Sequence, residues 1–213
     1  MGNTPFFSVI TLSYNSVDSI DRTIRSLKKQ SFNDFEVIFQ DAGSNDGTIE
    51  KIKKNLGQFR KASLVTETDN GIYDGLNRAL KRVTASFVCV LHTNDIFASN
   101  DILEMAALCL KESNFQLAYG DVLFYSRGDP NYIVRHWVSG NFNKNKLFLG
   151  WMPPHTTLFI KKEIYESFGI YRTDLKVSAD YDFILRVLKS DKIKINYFIK
   201  PIVKMSVGGI STS

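Results

Sequence analysis

The stretch FFSVITLSYNSVDSIDRTIRSLKKQSFNDFEVIFQDAGSNDGTIEKI (residues 6–52) decides the fold. FFSVITL (6–12) is a continuous β-branched and aromatic run, which reads as a strand buried on both faces. Ile20, Ile24 and Leu27 then recur at helical spacing, with basic residues on the opposite side. FEVIFQ (35–40) is a second buried strand, and Ile49, Ile52 and Leu56 stripe a second helix that Gly57 can end. Strands buried on both faces, alternating with amphipathic helices, are the pattern of an α/β protein with a parallel sheet.

The pattern continues outward. ASLVTE (62–67) is a third strand, Ile72, Leu76, Ala79 and Val83 mark a third helix, and FVCVL (87–91) is a fourth strand. A helix over 101–112 is apolar nearly all round, as expected of one packed on the sheet. Beyond 115 the rhythm changes. LAYGDVLFY, NYIVRHW and TTLFI read as strands of a mixed or antiparallel extension, joined by loops such as SGNFNKNK. Helices near 162–168 and 181–189 and the strand KINYFI follow. With no internal repeat or linker, the chain reads as one domain over 1–213, a nucleotide-type first half joined to an elaborated second half.

Composition narrows the class of protein. With 213 residues, 44% apolar and 23% charged, the chain is ordinary globular material, neither disordered nor fibrous. At this length roughly 70% of the unfolded surface can be buried, so no staples are required. Cys89 and Cys109 both lie in apolar runs and read as buried thiols in a reducing compartment, not as a disulfide or metal framework. No apolar run approaches the 18 or so residues needed to cross a bilayer. No basic segment precedes FFSVI, so no signal peptide is expected, and Phe6 breaks the myristoylation pattern. A cytoplasmic chain follows. The net charge of +5 suits an anionic ligand or an anionic membrane face. The basic residues are dispersed, KIKK (51–54) and KSDKIK (189–194) being the densest clusters, and no basic–aromatic stripe marks a nucleic-acid surface.

In open parallel sheets ligands bind beyond the carboxyl ends of the strands. Those positions here are Ser13-Tyr14-Asn15, then Asp41 through Thr48, then Glu67-Thr68-Asp69, then His92-Thr93-Asn94-Asp95. Three of the four ends carry acids. A lone acid after a strand is usually a cap or turn residue, and Asp46 is well placed to cap the second helix. Carboxylates at several adjacent strand ends point instead to a shared ligand.

The motifs SVITLSYN, QDAGSNDGT (40–48), DNGIYDGLNRAL (69–80), HTNDIF (92–97), PPHTTLFIKKEIYESFGIY (153–171), SADYDFILR (178–186) and VGGIS (207–211) together resemble family 2 glycosyltransferases. The resemblance runs over nearly the whole chain. It implies a GT-A fold, Rossmann-like with a mixed central sheet, and an enzyme moving a sugar with inversion from a nucleotide-diphospho-sugar. Residues 1–97 would form the donor-binding half and 98–213 the acceptor and catalytic-base half. Asp41 matches the residue that contacts the base in relatives, with Ser13, Tyr14 and Asn15 lining the same pocket. Asp74 and Asn94 are further donor-binding candidates.

The metal-binding D-x-D signature falls on Thr93-Asn94-Asp95. Its usual middle acid is Asn94 here, an uncharged amide that weakens metal affinity. Asp95 is then the ligand for Mg or Mn, and Asp180 falls at the catalytic-base position. The departing diphosphate needs a cation, the anomeric carbon passes through an oxocarbenium-like state, and one carboxylate suffices to take the acceptor's proton. Many relatives continue past the VGGIS segment into further helices. By family frequency the donor is a UDP-sugar and the acceptor a saccharide or lipid-linked oligosaccharide of cell-surface polysaccharide biosynthesis, reached by peripheral association at the inner face of the membrane.

Simpler readings stand beside these. Asp180 can cap the helix that follows it, and Asp182 and Arg186, at i and i+4, suit a helical ion pair. Asp41 suits a turn, and Asp74 a solvated helix face. His155, on a loop fixed by Pro153 and Pro154, is either structural or a contact for acceptor or diphosphate, and Trp151 either stacks on an acceptor sugar or packs in the core. His92 orients its loop, and His136 takes no role. A nucleotide-sugar-binding module without turnover is the alternative function, supported by Asn94 and opposed by Asp95 and Asp180. A nucleotidyltransferase would need a glycine-rich phosphate loop after the first strand, and none is present.

Overall fold

A computed structural model describes residues 4–126 and 129–207. The buried run at its centre is β1 (Phe7–Ser13), which pairs in parallel with β2 (Phe35–Asp41) on one side and β4 (Phe87–Val90) on the other. β3 (Ala62–Thr66) extends the sheet in parallel beyond β2. Successive side chains of a strand point to opposite faces, and this explains why FSVITLS is apolar throughout. Phe7 and Val9 join the cluster formed with Ile20, Ile24 and Leu27 of α1 (Ile20–Lys28) and Ile52 of α2 (Thr48–Leu56). Ile10 joins the opposite cluster with Leu76 and Ala79 of α3 (Ile72–Leu80). Helices therefore cover both faces, as the alternating pattern predicts.

The remaining strands make the sheet mixed. β8 (Phe159–Lys161) runs antiparallel to β4, and β6 (Leu117–Ser126) antiparallel to β8. β9 (Ile195–Ser206) runs parallel to β6, and the two-residue β5 (Ile96–Phe97) antiparallel to β9. β7 (Asp129–Trp137) forms a hairpin partner for β6. Among the described residues the order is β3-β2-β1-β4-β8-β6-β9-β5, with β7 on β6. α4 (Ile102–Glu112) packs Ile102, Leu103, Ala106 and Leu110 into the first core, while α5 (Lys162–Phe168) and α6 (Ala179–Leu188) pack Ile164, Phe183 and Val187 into the second.

Several local expectations change. TTLFI is strand only over its last two residues, because a 3-10 turn takes up His155–Thr157. KINYFI runs on through Pro201 to Ser206, since a register shift opposite Asp121 and Pro201 accommodates a residue with no amide to donate. Gly120 sits at that irregularity. A Cβ there would lie 2.8 Å from the Lys200 carbonyl oxygen and press into the Ile202 side chain. Cys89 is buried, and burial pushes its thiol pKa up, whereas Cys109 is only half-buried. Of VGGIS, Gly208–Ser211 lies outside the described residues.

The parallel quartet has a functional consequence. β1, β2, β3 and β4 all end on one edge, so the turns after Ser13, Asp41, Thr66 and Val90 share one side of the sheet.

Candidate active site

The turn after β2 is built around Asp41, whose side chain is fully buried. Ser13 Oγ (2.7 Å) and Ser44 Oγ (2.7 Å) donate to one carboxylate oxygen, and the Gly43 (3.0 Å) and Ser44 (2.7 Å) amides donate to the other. Asp41 therefore offers a ligand the turn it shapes, not a free carboxylate. This limits the direct base contact implied for it, because both oxygens are already engaged. The loop after β1 is laced to the same turn. The Asn15 amide donates to Ser44 Oγ at 2.8 Å, and Asn15 Oδ1 accepts from the Asn45 amide at 3.1 Å. Asn15 has φ of 43°, a left-handed conformation that asparagine tolerates better than most residues. Tyr14, 63% exposed between them, leaves its ring open to a planar ligand. Asp46 accepts from the Thr48 amide (3.0 Å) and the Val17 amide (2.9 Å), so it caps α2 as expected and also ties it to the β1 loop.

The turn after β4 carries the 92–95 signature. Thr23 Oγ1 donates to the Asp95 carbonyl oxygen (2.9 Å) and accepts from the Asn94 amide (3.0 Å). Asn94 has φ of 76°, so its backbone conformation gives asparagine a rationale at this position. Its Oδ1 accepts from Arg22 Nη1 at 2.9 Å, and Tyr125 Oη donates to its carbonyl oxygen. Arg22 also lies over the Tyr125 ring, 5.8 Å from its centroid. The Asn94 side chain, expected to face the donor, is thus held by a cation that the sequence reading passed over. Arg22 stands on the polar side of α1, where nothing distinguishes it from its basic neighbours.

Asp95 is 6% exposed, and no hydrogen bond among the described residues reaches its carboxylate. Burial pushes its pKa well above the usual carboxylate range. A buried, unpartnered carboxylate beside a turn fits a divalent cation. Among the described residues no group of three or more His, Cys, Asp or Glu gathers to form a complete metal cage. The fit is therefore to one protein carboxylate, with ligand oxygens completing the shell, as is usual for Mg bound with phosphates.

Asp180 stands in the first turn of α6, which Phe183 and Ile184 anchor in the core. Tyr73 Oη donates to its Oδ1 at 3.0 Å, and His155 Nδ1 lies 3.1 Å from its Oδ2. Burial pushes the Asp180 carboxyl up, but the proton and charge of His155, with the Tyr73 hydroxyl and Tyr181 amide, outweigh it and hold the pKa at about 2. The His155 ring packs against His92, centroids 5.8 Å apart. Burial, reinforced by His155, pushes the His92 pKa down to about 3, and its Nε2 is buried without a partner among the described residues. Since His92 is three residues from Asp95, this contact chain brings the second-half residues Asp180 and His155 to the end of β4.

Other candidates are engaged elsewhere. The Asp74 carboxylate accepts from the Asn70 amide (3.0 Å) and Arg78 Nη2 (2.9 Å), and Arg78, ahead of that amide, holds its pKa low. Both bonds fall on Oδ2, which staples the start of α3, and the neighbouring Tyr73 reaches Asp180. Trp151 Nε1 donates to the Ser139 carbonyl oxygen (3.1 Å), and its ring meets Tyr119 edge-on at 6.1 Å, so it is largely a packing residue. Asp182 pairs with Arg186 Nε at 3.0 Å, the helical ion pair expected. His136, unassigned from sequence, meets the buried Asp121 at 3.1 Å.

Comparisons with known proteins bear on the fold and the family. A PGL/p-HBAD biosynthesis glycosyltransferase of Mycobacterium tuberculosis is 26% identical over 214 residues, covering 98% of this chain and 80% of that protein. Hyaluronan synthase of Pasteurella multocida is 24% identical over 197 residues, 91% of this chain but 20% of the synthase. Among solved structures, S. aureus TarS 1-349 in complex with UDP-GlcNAc superposes with a TM-score of 0.74 at 21% identity, over 94% of this chain and 58% of that one. Mannosyltransferase PcManGT from Pyrobaculum calidifontis, in complex with GDP-Man and Mn2+, gives 0.70 at 16%, over 99% and 59%. This chain thus spans under two thirds of the length of those two structures, and the likeness shows the GT-A fold. Glycosyl transferase family 2 matches residues 8–172, and with that match the chain belongs to this family of glycosyltransferase enzymes.

Proposed function

We propose that the protein transfers a sugar, with inversion, from a nucleoside-diphosphate donor to a hydroxyl of a saccharide or lipid-linked acceptor in cell-surface polysaccharide synthesis. The observation that carries this is the pairing at one edge of the sheet of two differently tuned carboxylates. Asp95 is bare and buried, while Asp180 is held ionised by its neighbours. The first suits a cation on a diphosphate and the second a site of proton removal. UDP is the favoured nucleotide, in line with the UDP-GlcNAc bound by TarS.

In this reading residues 1–97 hold the donor. Tyr14, with the turns that Ser13, Asn15 and Asp41 organise, faces the nucleotide, and Asp95 would hold Mg or Mn. When bound, that cation neutralises the charge developing on the departing diphosphate. Residues 98–213 hold the acceptor, the Asp180 cluster drawing the proton from its hydroxyl as the new glycosidic bond forms. One proton-taking centre and no protein nucleophile mean direct displacement. Among the described residues no helix is long and apolar enough to cross a membrane. A cytoplasmic enzyme, associated peripherally with an anionic membrane face, suits the +5 charge.

The alternative, a nucleotide-sugar-binding module without turnover, is favoured by the Arg22 contact that occupies Asn94. One experiment decides between them. Thermal shift and titration with UDP-Glc, UDP-GlcNAc, UDP-Gal and GDP-Man, with and without Mn2+, are read on wild type and Asp95→Ala, followed by assay of nucleotide release. Metal-dependent stabilisation by one donor that vanishes in Asp95→Ala, together with turnover lost in Asp180→Asn, is the expected result. Binding without turnover favours the module, and no binding by any donor refutes the site.

A further inference from the structure

The 3-10 helix over Lys144–Leu149 ends in two adjacent apolar side chains that the fold leaves outside, Phe148 at 81% and Leu149 at 85% exposure. They are held there. Leu147, just before them, is buried in the second core. Trp151, just after them, meets Tyr119 edge-on and donates its Nε1–H to the Ser139 carbonyl oxygen. Between these anchors the Gly150 amide donates to the Leu147 carbonyl oxygen at 3.2 Å, and the Trp151 amide to that of Lys146 at 3.1 Å. Gly150, with φ of 79°, turns the chain between the two. A turn anchored on both sides keeps its two apolar residues in water, which is unfavourable until something covers them.

The surroundings are basic. Lys144 Nζ lies 2.6 Å from an Asp191 carboxylate oxygen, which joins this turn to the KSDKIK segment (189–194) after α6. Residues 138–152 and 189–194 together hold five lysines against one acid, so they carry a net +4 of the whole chain's +5. Lys144 is paired with that acid. Lys146, Lys189, Lys192 and Lys194 are exposed and have no ion-pair partner among the described residues. In a 3-10 helix residues i and i+3 eclipse, so Lys146 and Leu149 stand on one side of the turn. We infer that this face docks on an anionic lipid bilayer, with Phe148 and Leu149 entering the interface and the lysines lying among the headgroups. The inference rests on the peripheral-association reading above and deepens it by naming the surface.

A protein partner or a second copy fits the same observations less well. Lysine is depleted in protein–protein interfaces, and a stable one buries about 1,000 Å² or more, beyond what two side chains at a turn supply. A bilayer uses both features. The apolar side chains bury at the acyl boundary, while lysine stems lie along the apolar surface with their ammonium groups among anionic headgroups. The other dense basic cluster, KIKK (51–54), lacks the apolar element, since Ile52 is buried in the first core and Lys51 pairs with Asp21 at 2.6 Å. The position also suits the site. From Leu149 the chain runs through Trp151 and Pro154 to His155, whose Nδ1 lies 3.1 Å from Asp180. Docking there sets the half assigned to the acceptor against the bilayer, and a lipid-linked acceptor then arrives from the surface that holds the enzyme.

Flotation of the whole chain with vesicles tests this, using phosphatidylcholine alone and phosphatidylcholine with about 30% phosphatidylglycerol, at about 0.1 and 0.5 M NaCl. Wild type is expected to float with the anionic vesicles, and less so at the higher salt. Phe148→Ser with Leu149→Ser should lower partitioning about 10-fold or more, through the apolar area withdrawn. Lys146→Glu with Lys192→Glu should do the same, since each lysine near an anionic surface contributes about five-fold. Lys53→Glu with Lys54→Glu, the same charge change on α2, should stay within about three-fold of wild type because its charges lie beyond the screening length. Emission of Phe148→Trp should shift to the blue on anionic vesicles and be quenched by brominated lipid, which headgroup attraction alone does not produce. Equal losses in the two lysine pairs, wild-type partitioning of the serine pair, or absence of quenching overturns the inference. A wild-type dimer in light scattering that the serine pair dissociates assigns the face to a second copy and overturns it too. Wild type that floats with neither vesicle refutes peripheral association as a whole. UDP release from UDP-GlcNAc with Mn2+, followed without lipid, should match wild type in every variant, and its absence in wild type counts against that donor reading and not against the docking surface.

Discussion

Replacing Asp41 separates two ideas about how a family 2 donor pocket is made. Its carboxylate is fully buried and receives two backbone amides and two serine hydroxyls. Hydrogen bonds to a charged acceptor contribute about 1.5–3 kcal/mol each and neutral ones about 1 kcal/mol. In Asp41→Asn the amide oxygen keeps the Gly43 and Ser44 amides as neutral bonds, and the serine hydroxyls turn to accept from Nδ2. The expected loss is about 1 kcal/mol for each backbone bond weakened, hence about 2 kcal/mol in total. In Asp41→Ala both amides are orphaned at about 1–3 kcal/mol each, so about 4 kcal/mol is expected. For a chain of this size each kcal/mol moves Tm by about 2–4 °C, which gives falls of about 6 °C for Asn and about 12 °C for Ala. Urea denaturation and thermal unfolding measure these, and donor titration of the same proteins completes the assay. If Asp41 acts through the turn, nucleotide affinity falls in proportion to stability across the pair. A variant that keeps wild-type stability while losing donor binding would refute this reasoning and restore a direct contact with the base.

Three further outcomes are expected. Glu36, buried between Ser8, Thr84 and Lys61, is pushed up by burial but held below its ordinary value by Lys61 and the hydroxyl and amide donors. Its contribution is complete above pH 4.5 and is lost as pH falls through the lowered native pKa, so Glu36→Gln should flatten that part of the acid limb of unfolding free energy. Gly120→Ala should cost about 1–3 kcal/mol by forcing β6 from the Lys200 carbonyl and Ile202, read as a lower urea midpoint with unchanged slope. Phe183→Ala removes a ring stacked on Tyr165 at 4.8 Å and should cost about 3–5 kcal/mol, with donor-dependent turnover falling further than donor affinity because α6 carries Asp180.

Much of the first half of the fold was legible because its information is local. Strand β1 is written as an apolar run, its flanking helices as stripes at Ile20, Ile24, Leu27 and Ile52, and its parallel partners as runs of the same kind. Once those strands are parallel, the residues after them share an edge, and the acids at 41, 46 and 95 follow without further information. The failures have equally physical causes. β5 is two residues long and exists only because β9 passes beside it, so no periodicity can announce it. The extension of β9 through Pro201 depends on a register shift in β6 that is a property of the pair, not of either segment.

Side-chain surroundings were hidden for the same reason. Asp74 and Tyr73 are adjacent, and nothing in GIYDG states that the helix turns Asp74 toward Arg78 and Tyr73 toward Asp180. Arg22 looks like any solvated cation on α1 until folding sets it against Asn94 and Tyr125. His155 could be placed on a Pro-fixed loop, but nothing in PPHTT states that α6 will deliver a carboxylate 3.1 Å from its ring. Residue type and spacing thus identify which groups can do chemistry, while the division of labour between two such groups is set by which lone pairs the fold leaves unoccupied. At Asp41 four donors occupy them, and at Asp95 no hydrogen bond among the described residues reaches the carboxylate. A motif match names the acids, and only the hydrogen-bond accounting around each one says which is free to act.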